Sequence, residues 1–357
     1  MDYQQENNIW VIGHKNPDTD SICAAICYAN LKNRLQDGFH YIPKRAGSIN
    51  EETKYVLQHF GVEPPEYAED AGAQVKDIAF RRTAGVSGHI SLKKAWELMK
   101  TENVMTLAVT SASDKLEGLI ITGDIAESYM DVYDNHILSR ARTQYKNIVE
   151  TLNGTLLAGN EHAYFLRGKV VVATGSRDVI EECIESDDLV IVGDRDETHI
   201  CALEENASCM VVTGGTQVSA QVLEMANRRD CVVIITPYDT FTAARLINQS
   251  MPIKYFMKKE NFVTFDIDDY VDEVREVMSK KRHRDFPVLD DQRRYLGMVS
   301  RRNLLNMHKK KLILVDHNEK SQAIDGIEGA EILEIIDHHR LGSLETMSPV
   351  FFRNQPL

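Results

Sequence analysis

The stretch Ile9-Trp10-Val11-Ile12-Gly13-His14-Lys15-Asn16-Pro17-Asp18-Thr19-Asp20-Ser21 decides how this chain is read. An apolar run stops at a glycine, a short polar loop carries one imidazole and two carboxylates, and Asp20 or Ser21 can cap the amphipathic run that follows. The pattern predicts a strand, a loop and a helix over 20–35, with Ile22, Ala25, Ile26, Ala29 and Leu31 turned to a sheet. Asp18 and Asp20 lie two apart, and Pro17 fixes a backbone torsion just before them, which suits a loop that aims two carboxylates at neighbouring points. Two points imply two ions. A mixed nitrogen and oxygen donor set favours manganese, cobalt, iron or zinc over magnesium or calcium.

The other end of the chain ends strands in the same way. Lys311-Leu312-Ile313-Leu314-Val315 runs into Asp316-His317-Asn318-Glu319, and Glu331-Ile332-Leu333-Glu334-Ile335-Ile336 runs into Asp337-His338-His339-Arg340. Parallel strands that end alike put their terminal residues on one edge, where α/β proteins bind ligands, so three strand ends are expected to converge on one metal cluster.

Together these motifs resemble the DHH phosphoesterase superfamily and, within it, the family II manganese-dependent inorganic pyrophosphatases; Asp316-His317-Asn318 is the most telling piece. The resemblance implies that His14 and Asp18 hold one ion, that Asp20 and His338 hold the other, and that Asp316 bridges them. It implies an orienting or phosphate-contacting role for His339, and orientation and charge support from Asp337, His317 and Arg340. It further implies two Mn²⁺ or Co²⁺ ions per site with Mg²⁺ accompanying the substrate, and hydrolysis of inorganic diphosphate to two phosphates by an activated water.

The 357 residues fit several modules rather than one core. Lys plus Arg number 41 against 54 Asp plus Glu, a net charge of −13, which does not invite nucleic acid and makes an anion site depend on local positive charge. Six cysteines at 23, 27, 183, 201, 209 and 231 form neither a Cys-x-x-Cys pair nor a zinc-ribbon spacing, and Cys23 and Cys27 read as small apolar packing. No apolar run approaches the ~18 residues of a membrane span, so a reducing cytoplasm is the expected location.

After the first loop, Tyr41-Ile42-Pro43 predicts a second strand, Asn50 or Glu51 opens a helix that closes at Gly61, and Glu63-Pro64-Pro65-Glu66 reads as a linker. From Val75 a cadence of helix, strand, turn, strand and helix runs over Ser91–Lys100, Thr106–Val109, Gly118–Ile121 and onward from Asp124. It recurs at 251–307 as a Val271–Lys281 helix, Phe286–Leu289, the turn Asp290-Asp291, Gly297–Val299 and a helix through Leu304-Leu305. This repeat resembles the cystathionine-β-synthase (CBS) module, whose members pair and commonly bind adenine nucleotides. The resemblance assigns Ser300 and Asn303, flanked by Arg301 and Arg302, to ribose and phosphate, with Asp124 and Thr122 as the counterparts in the first copy. There Ile121 stands where the hydroxyl is expected and Thr122 comes one place late.

Between the copies, apolar runs at 169–173, 189–192, 209–212 and 231–235 alternate with helical stretches such as 218–226, which predicts a small α/β domain. Met210-Val211-Val212-Thr213-Gly214-Gly215 resembles the DRTGG domain found between CBS modules, without the Asp-Arg of its name. The fold expected is therefore α/β: a parallel-sheet DHH domain over 1–70 and 308–357, interrupted by CBS modules at 71–131 and 251–307 and a DRTGG-like domain at 132–250. The resemblance implies AMP, ADP, ATP or a dinucleoside polyphosphate as regulator, and a homodimer.

In the family, another aspartate ligand and a Ser-Arg-Lys-Lys substrate clamp lie far beyond the Asp-His-His motif, whereas 18 residues follow His339 here. Ser300-Arg301-Arg302 imitates that clamp inside the second CBS copy. The expectation is a piece of a regulated pyrophosphatase, weak or inactive in turnover. The alternatives are another DHH enzyme acting on short oligonucleotides or cyclic dinucleotides, and a non-catalytic adenine-nucleotide sensor.

Overall fold

The computed structural model describes residues 7–130, 134–306, 309–342, 344–346 and 349–354. Its contacts divide the chain into two compact units. Met1–Arg82, Thr264–Asp291 and Met298–Leu357 make the first, and Thr83–Val263 with Gln292–Gly297 the second.

The first unit is built on a six-stranded sheet drawn from both ends of the chain. Its order is Phe351–Asn354, Glu331–Asp337, Lys311–Val315, Asn8–Ile12, His40–Arg45, Glu66–Tyr67. Every pairing is parallel, with Ile12 opposite Leu314 and Lys44, and Val315 opposite Ile336. The carboxyl ends therefore lie along one edge, and the expected interrupted parallel sheet is what the chain forms.

Strand alternation divides the apolar residues between the two faces. Ile12, Leu312, Leu314, Ile332 and Ile335 pack with Ile324 and Ile327 on one side. Ile9, Val11, Ile313 and Val315 pack on Ala25 and Ala29 of the helix Thr19–Leu35 on the other. Burial on both faces explains why these strands read as continuous apolar runs.

The Thr19–Leu35 helix is capped by Asp18, whose Oδ1 accepts the Ser21 N–H at 3.0 Å, and not by Asp20 or Ser21. Ser21 is instead fully buried, and its Oγ accepts the His14 N–H at 3.1 Å. Asn50 caps the helix Glu51–Phe60, and Gly61 closes it at φ +62°. The Pro64-Pro65 breaker does not leave the sheet as a linker: Glu66–Tyr67 returns as an edge strand opposite Lys44 and Arg45.

Also in this unit, Phe265–Asp266 runs parallel to Asp285–Leu289 beside the helix Val271–Lys280. The helix expected through Leu304-Leu305 is only a 3-10 turn, Asn303–Asn306.

In the second unit, a hairpin of Thr106–Thr110 with Leu116–Ile121 is flanked by the helices Leu92–Thr101, capped by Ser91, and Thr122–Met130. A five-stranded sheet follows in the order Thr155–Ala158, Val232–Ile235, Cys209–Val212, Leu189–Val192, Val170–Val172, with Thr155–Ala158 antiparallel at its edge. Val190, Val192, Met210 and Val212 face Ile180, Ala202, Val222 and Ala226. Leu189, Ile191, Cys209 and Val211 face Tyr145, Ile148, Leu152 and Ile247. Among the described residues no helix is long and apolar enough to cross a membrane.

Candidate metal centre

Three adjacent strand ends deliver the site. Beyond Ile12 the chain must pass close under the helix that follows, and Gly13 permits this: a Cβ there would stand 1.9 Å from Ser21 Oγ. His14 and Asp18 come from this loop, and Asp20 from the first helical turn. Asp316 follows the Lys311–Val315 strand in a left-handed conformation, φ +60°, which is costly for a residue with a side chain and is the kind of strain that collects at functional sites. His338 and His339 follow Asp337 at the end of the third strand.

Asp316 occupies the middle. Its Oδ2 lies 3.3 Å from His14 Nε2, and its Oδ1 lies 3.0 Å from His338 Nε2 and 3.8 Å from His339 Nδ1. Asp18 Oδ1 is 3.9 Å from His14 Nε2, and Asp20 Oδ2 is 3.4 Å from His338 Nε2. All five residues read from the sequence as ligands thus meet around one nearly buried carboxylate, whose Oδ2 accepts no well-formed hydrogen bond.

Behind them lies a supporting layer. Oδ1 of buried Asp337 accepts the backbone N–H groups of His338 (2.8 Å) and His339 (3.1 Å), and His339 Nδ1–H at 2.8 Å, so this one oxygen is spent on aiming the two histidines. Asn318, also buried, donates to Asp337 Oδ2 and to the Arg340 carbonyl (3.0 Å) and accepts the Gly342 N–H. The exposed Arg340 guanidinium makes no ion pair among the described residues. His317 is buried, donates Nδ1–H to the Val315 carbonyl at 2.9 Å, and keeps an unpartnered Nε2.

The Asp316 carboxylate, its Oδ2 3.3 Å from His14 Nε2, raises the pKa of His14 above its ordinary 6.5. Burial works to raise the Asp316 carboxyl, but His14 and His338 outweigh it and hold that group below the usual carboxylate range. Asp337 likewise raises His339, and burial lowers His317. Protons thus do in the metal-free protein what cations do elsewhere, screening carboxylates packed within reach of one another. Two groups of donors, one of His14, Asp18 and Asp316 and one of Asp316, Asp337, His338 and His339, each bring their ligand atoms within 4.8 Å. A buried carboxylate oxygen without a hydrogen bond, flanked by imidazole nitrogens and further carboxylates, fits divalent transition ions.

A cavity of about 360 Å³ opens beside this cluster, lined in part by Asp20, Asp316, Asp337, His338 and Arg353. Arg353 belongs to no motif and was not legible as a site residue.

The residues assigned to nucleotide binding are placed as follows. In the first unit Asn303 Oδ1 accepts the Ser300 N–H (2.8 Å) and O–H (2.7 Å). The Arg301 guanidinium donates to the carbonyls of Met278, Lys281 and His283 at the end of the Val271–Lys280 helix. Arg302 is exposed. In the second unit Asp124 repeats the Asn303 contact by accepting the Ile121 N–H at 2.9 Å, and lies 3.3 Å from Lys258 Nζ; Thr122 opens the helix beside it.

A DRTGG domain model matches residues 147–250 and a CBS domain model residues 253–309. Fold and site define an α/β chain in which a metal-type parallel sheet carries inserted CBS and DRTGG domains. A cobalt-dependent inorganic pyrophosphatase of Clostridium perfringens is 42% identical over 98% of this chain and 63% of its own length. A probable manganese-dependent inorganic pyrophosphatase of Thermotoga maritima is 38% identical over the same shares. The crystal structure of the CBS and DRTGG domains of the regulatory region of the Clostridium perfringens pyrophosphatase, complexed with the activator diadenosine tetraphosphate, superimposes with a TM-score of 0.62 at 36% identity. It is matched over its full length by 64% of this chain. Over 64% of its length the chain belongs with the CBS- and DRTGG-containing regulatory region of that pyrophosphatase, and it spans 63% of the length of the two curated relatives.

Proposed function

We propose that this chain carries the two-ion centre and the nucleotide-responsive block of an inorganic diphosphatase. The observation that supports it best is the single carboxylate of Asp316 with one oxygen toward His14 and the other toward His338. In this reading His14 and Asp18 hold one Mn²⁺ or Co²⁺, Asp20 and His338 hold the other, and Asp316 serves both. Such ions supply Lewis acidity, making a water acidic and offsetting phosphoryl charge.

The protein's own part is placement and protonation. Asp337 accepts the hydrogen bond of His339 Nδ1–H and keeps the imidazole protonated to higher pH, leaving Nε2–H free to donate to a phosphate oxygen. Asn318 fixes Asp337, and Gly13 with Ser21 fixes the loop of His14. The activator named for the Clostridium perfringens relative supports an adenine dinucleotide or mononucleotide as the regulator of a homodimer, with Ser300, Arg302 and Asn303 the contacts expected of the second CBS copy and Thr122 and Asp124 those expected of the first.

Calorimetric titration with Mn²⁺ and Co²⁺, alongside phosphate release from diphosphate, tests the reading. Two ions per chain, lost in Asp316→Asn, are expected. Absence of binding, or binding indifferent to that substitution, overturns it.

A further inference from the structure

The two CBS copies repeat one arrangement, so a position in one has a counterpart in the other, each within its own unit. In the second unit the strand Leu116–Ile121 pairs at Leu119 with Lys258, the two residues exchanging N–H to carbonyl hydrogen bonds of 2.9 and 2.8 Å. In the first unit the strand Tyr295–Ser300 pairs in the same antiparallel way at Met298 with Arg81, at 3.0 and 2.9 Å. Leu119 lies two residues before the strand end at Ile121, and Met298 two before the end at Ser300. Lys258 and Arg81 therefore hold the same register, and both are cations.

Their partners differ. Three residues beyond the strand end, Asp124 accepts the Ile121 N–H in one copy and Asn303 accepts the Ser300 N–H in the other. Asp124 brings a carboxylate, and Lys258 Nζ lies 3.3 Å from its Oδ1. Asn303 brings a neutral amide whose Oδ1 accepts both Ser300 donors and whose Nδ2 donates to the Ala79 carbonyl at 2.7 Å. The Arg81 Nε is buried without a hydrogen-bond partner, and among the described residues no carboxylate pairs with its guanidinium. A half-buried charge left in that condition is unfavourable until an anion joins it.

We infer that Arg81 is a phosphate-binding residue of the second CBS copy, its guanidinium taking from a nucleotide phosphate the negative charge that Lys258 takes from Asp124; this rests on the nucleotide reading proposed above and adds a residue to it. Register puts Arg81 on the required face. Residues directly opposite in an antiparallel pair share a face, and so do Met298 and Ser300, two apart, which makes Arg81 the diagonal neighbour of Ser300. Lys258 shows the reach available from that position, since its Nζ arrives beside the residue three beyond the strand end. Arg301 is already engaged by the carbonyls of Met278, Lys281 and His283. The planar fork of Arg81 stays charged and matches two phosphate oxygens at once.

The test uses the full chain, with diadenosine tetraphosphate and adenosine as the probes. Wild type, Arg81→Gln and Arg81→Lys are titrated with each by calorimetry, and the unfolding of each ligand-free protein is followed by heating. The expected result is diadenosine tetraphosphate binding weakened about tenfold in Arg81→Gln and partly restored in Arg81→Lys, with adenosine affinity unchanged. Ligand-free Arg81→Gln should unfold no lower than wild type, because the arginine it replaces has no partner to lose. Equal diadenosine tetraphosphate affinity in wild type and Arg81→Gln overturns the assignment of Arg81 alone. So does a parallel fall for both probes, which would make Arg81 a support of the fold or a contact for the base rather than for phosphate. A wild-type protein that binds neither probe overturns the nucleotide reading together with it.

Discussion

Asp316 Oδ1 lies 3.0 Å from His338 Nε2, joining side chains delivered by neighbouring parallel strands. The second oxygen of the same carboxylate faces His14 from the strand on its other side. An amide in place of Asp316 removes the negative charge and one of the two acceptors together. Asp316→Asn is therefore expected to lower Mn²⁺ affinity by at least about a hundredfold at both positions, whereas Asp18→Asn weakens only the ion beside His14. Titration calorimetry separates the two, and retention of both ions in Asp316→Asn would count against a shared ligand.

The sequence carried the cluster and, in Asp337, part of its support. Apolar runs stopping at acid and imidazole made the strand ends recognisable, because strands buried on both faces and aligned in parallel have few other ways to be built. Asp18 as the cap of its helix was not readable, since Asp, Thr and Ser within four positions all compete for that place and only the loop trajectory decides. The partners of Arg301 were not readable for a related reason: its position in the repeat fits nucleotide recognition, and only the fold shows that three helix-end carbonyls lie within its reach. The Phe351–Asn354 strand gave no signal, because its place in the sheet depends on a pairing that local sequence does not encode.

The acid–base state of His14 gives a pH dependence with a definite sign. Asp316 raises its pKa above 6.5, so its contribution to metal-free stability is full below 6.5 and fades as pH climbs through the raised value. Asp316 is depressed below 3.8, so its contribution is present above 3.8 and fades as pH falls through the lowered value. The pair therefore stabilises the metal-free fold most between about 3.8 and 6.5. Metal binding must expel the His14 proton, so Mn²⁺ affinity should rise with pH across and above 6.5 with proton release, which calorimetry in buffers of different ionisation enthalpy measures.

Asn318 touches no expected ion, yet it holds the layer behind the histidines. Removing its amide in Asn318→Ala leaves buried Asp337 and the Arg340 carbonyl short of a donor and the Gly342 N–H short of an acceptor. The expected cost is about 1–3 kcal/mol of stability and a ten- to hundredfold loss of Mn²⁺ affinity, roughly the scale of lost ligand support. Thermal unfolding and metal titration report the two effects separately, and a stability loss with unchanged metal affinity would show that Asp337 keeps its aim without Asn318.

Arg301→Ala should act on stability and leave nucleotide affinity of the folded protein unchanged. The guanidinium satisfies carbonyls at the end of the Val271–Lys280 helix, a favourable place for positive charge, and its loss is expected to cost about 1 kcal/mol. Chemical denaturation measures that cost, and calorimetry with diadenosine tetraphosphate measures the affinity. A drop in affinity without a drop in stability would return Arg301 to the nucleotide site.

Gly13→Ala tests whether the first ligand loop depends on a close approach. The added Cβ would stand 1.9 Å from Ser21 Oγ and 3.0 Å from both Ser21 Cβ and its carbonyl oxygen, and Ser21 is buried in the first turn of a long helix with little room to yield. The backbone must move instead, carrying His14 away from Asp316. A loss of about 2–4 kcal/mol and a clear fall in Mn²⁺ affinity are expected. Pairing it with Ser21→Gly deletes two of the three clashing atoms while forfeiting the bond from the His14 N–H, so the double variant should recover part of the metal affinity lost in Gly13→Ala. If the single variant binds Mn²⁺ as wild type does, the path of the loop beneath Ser21 is not what positions His14.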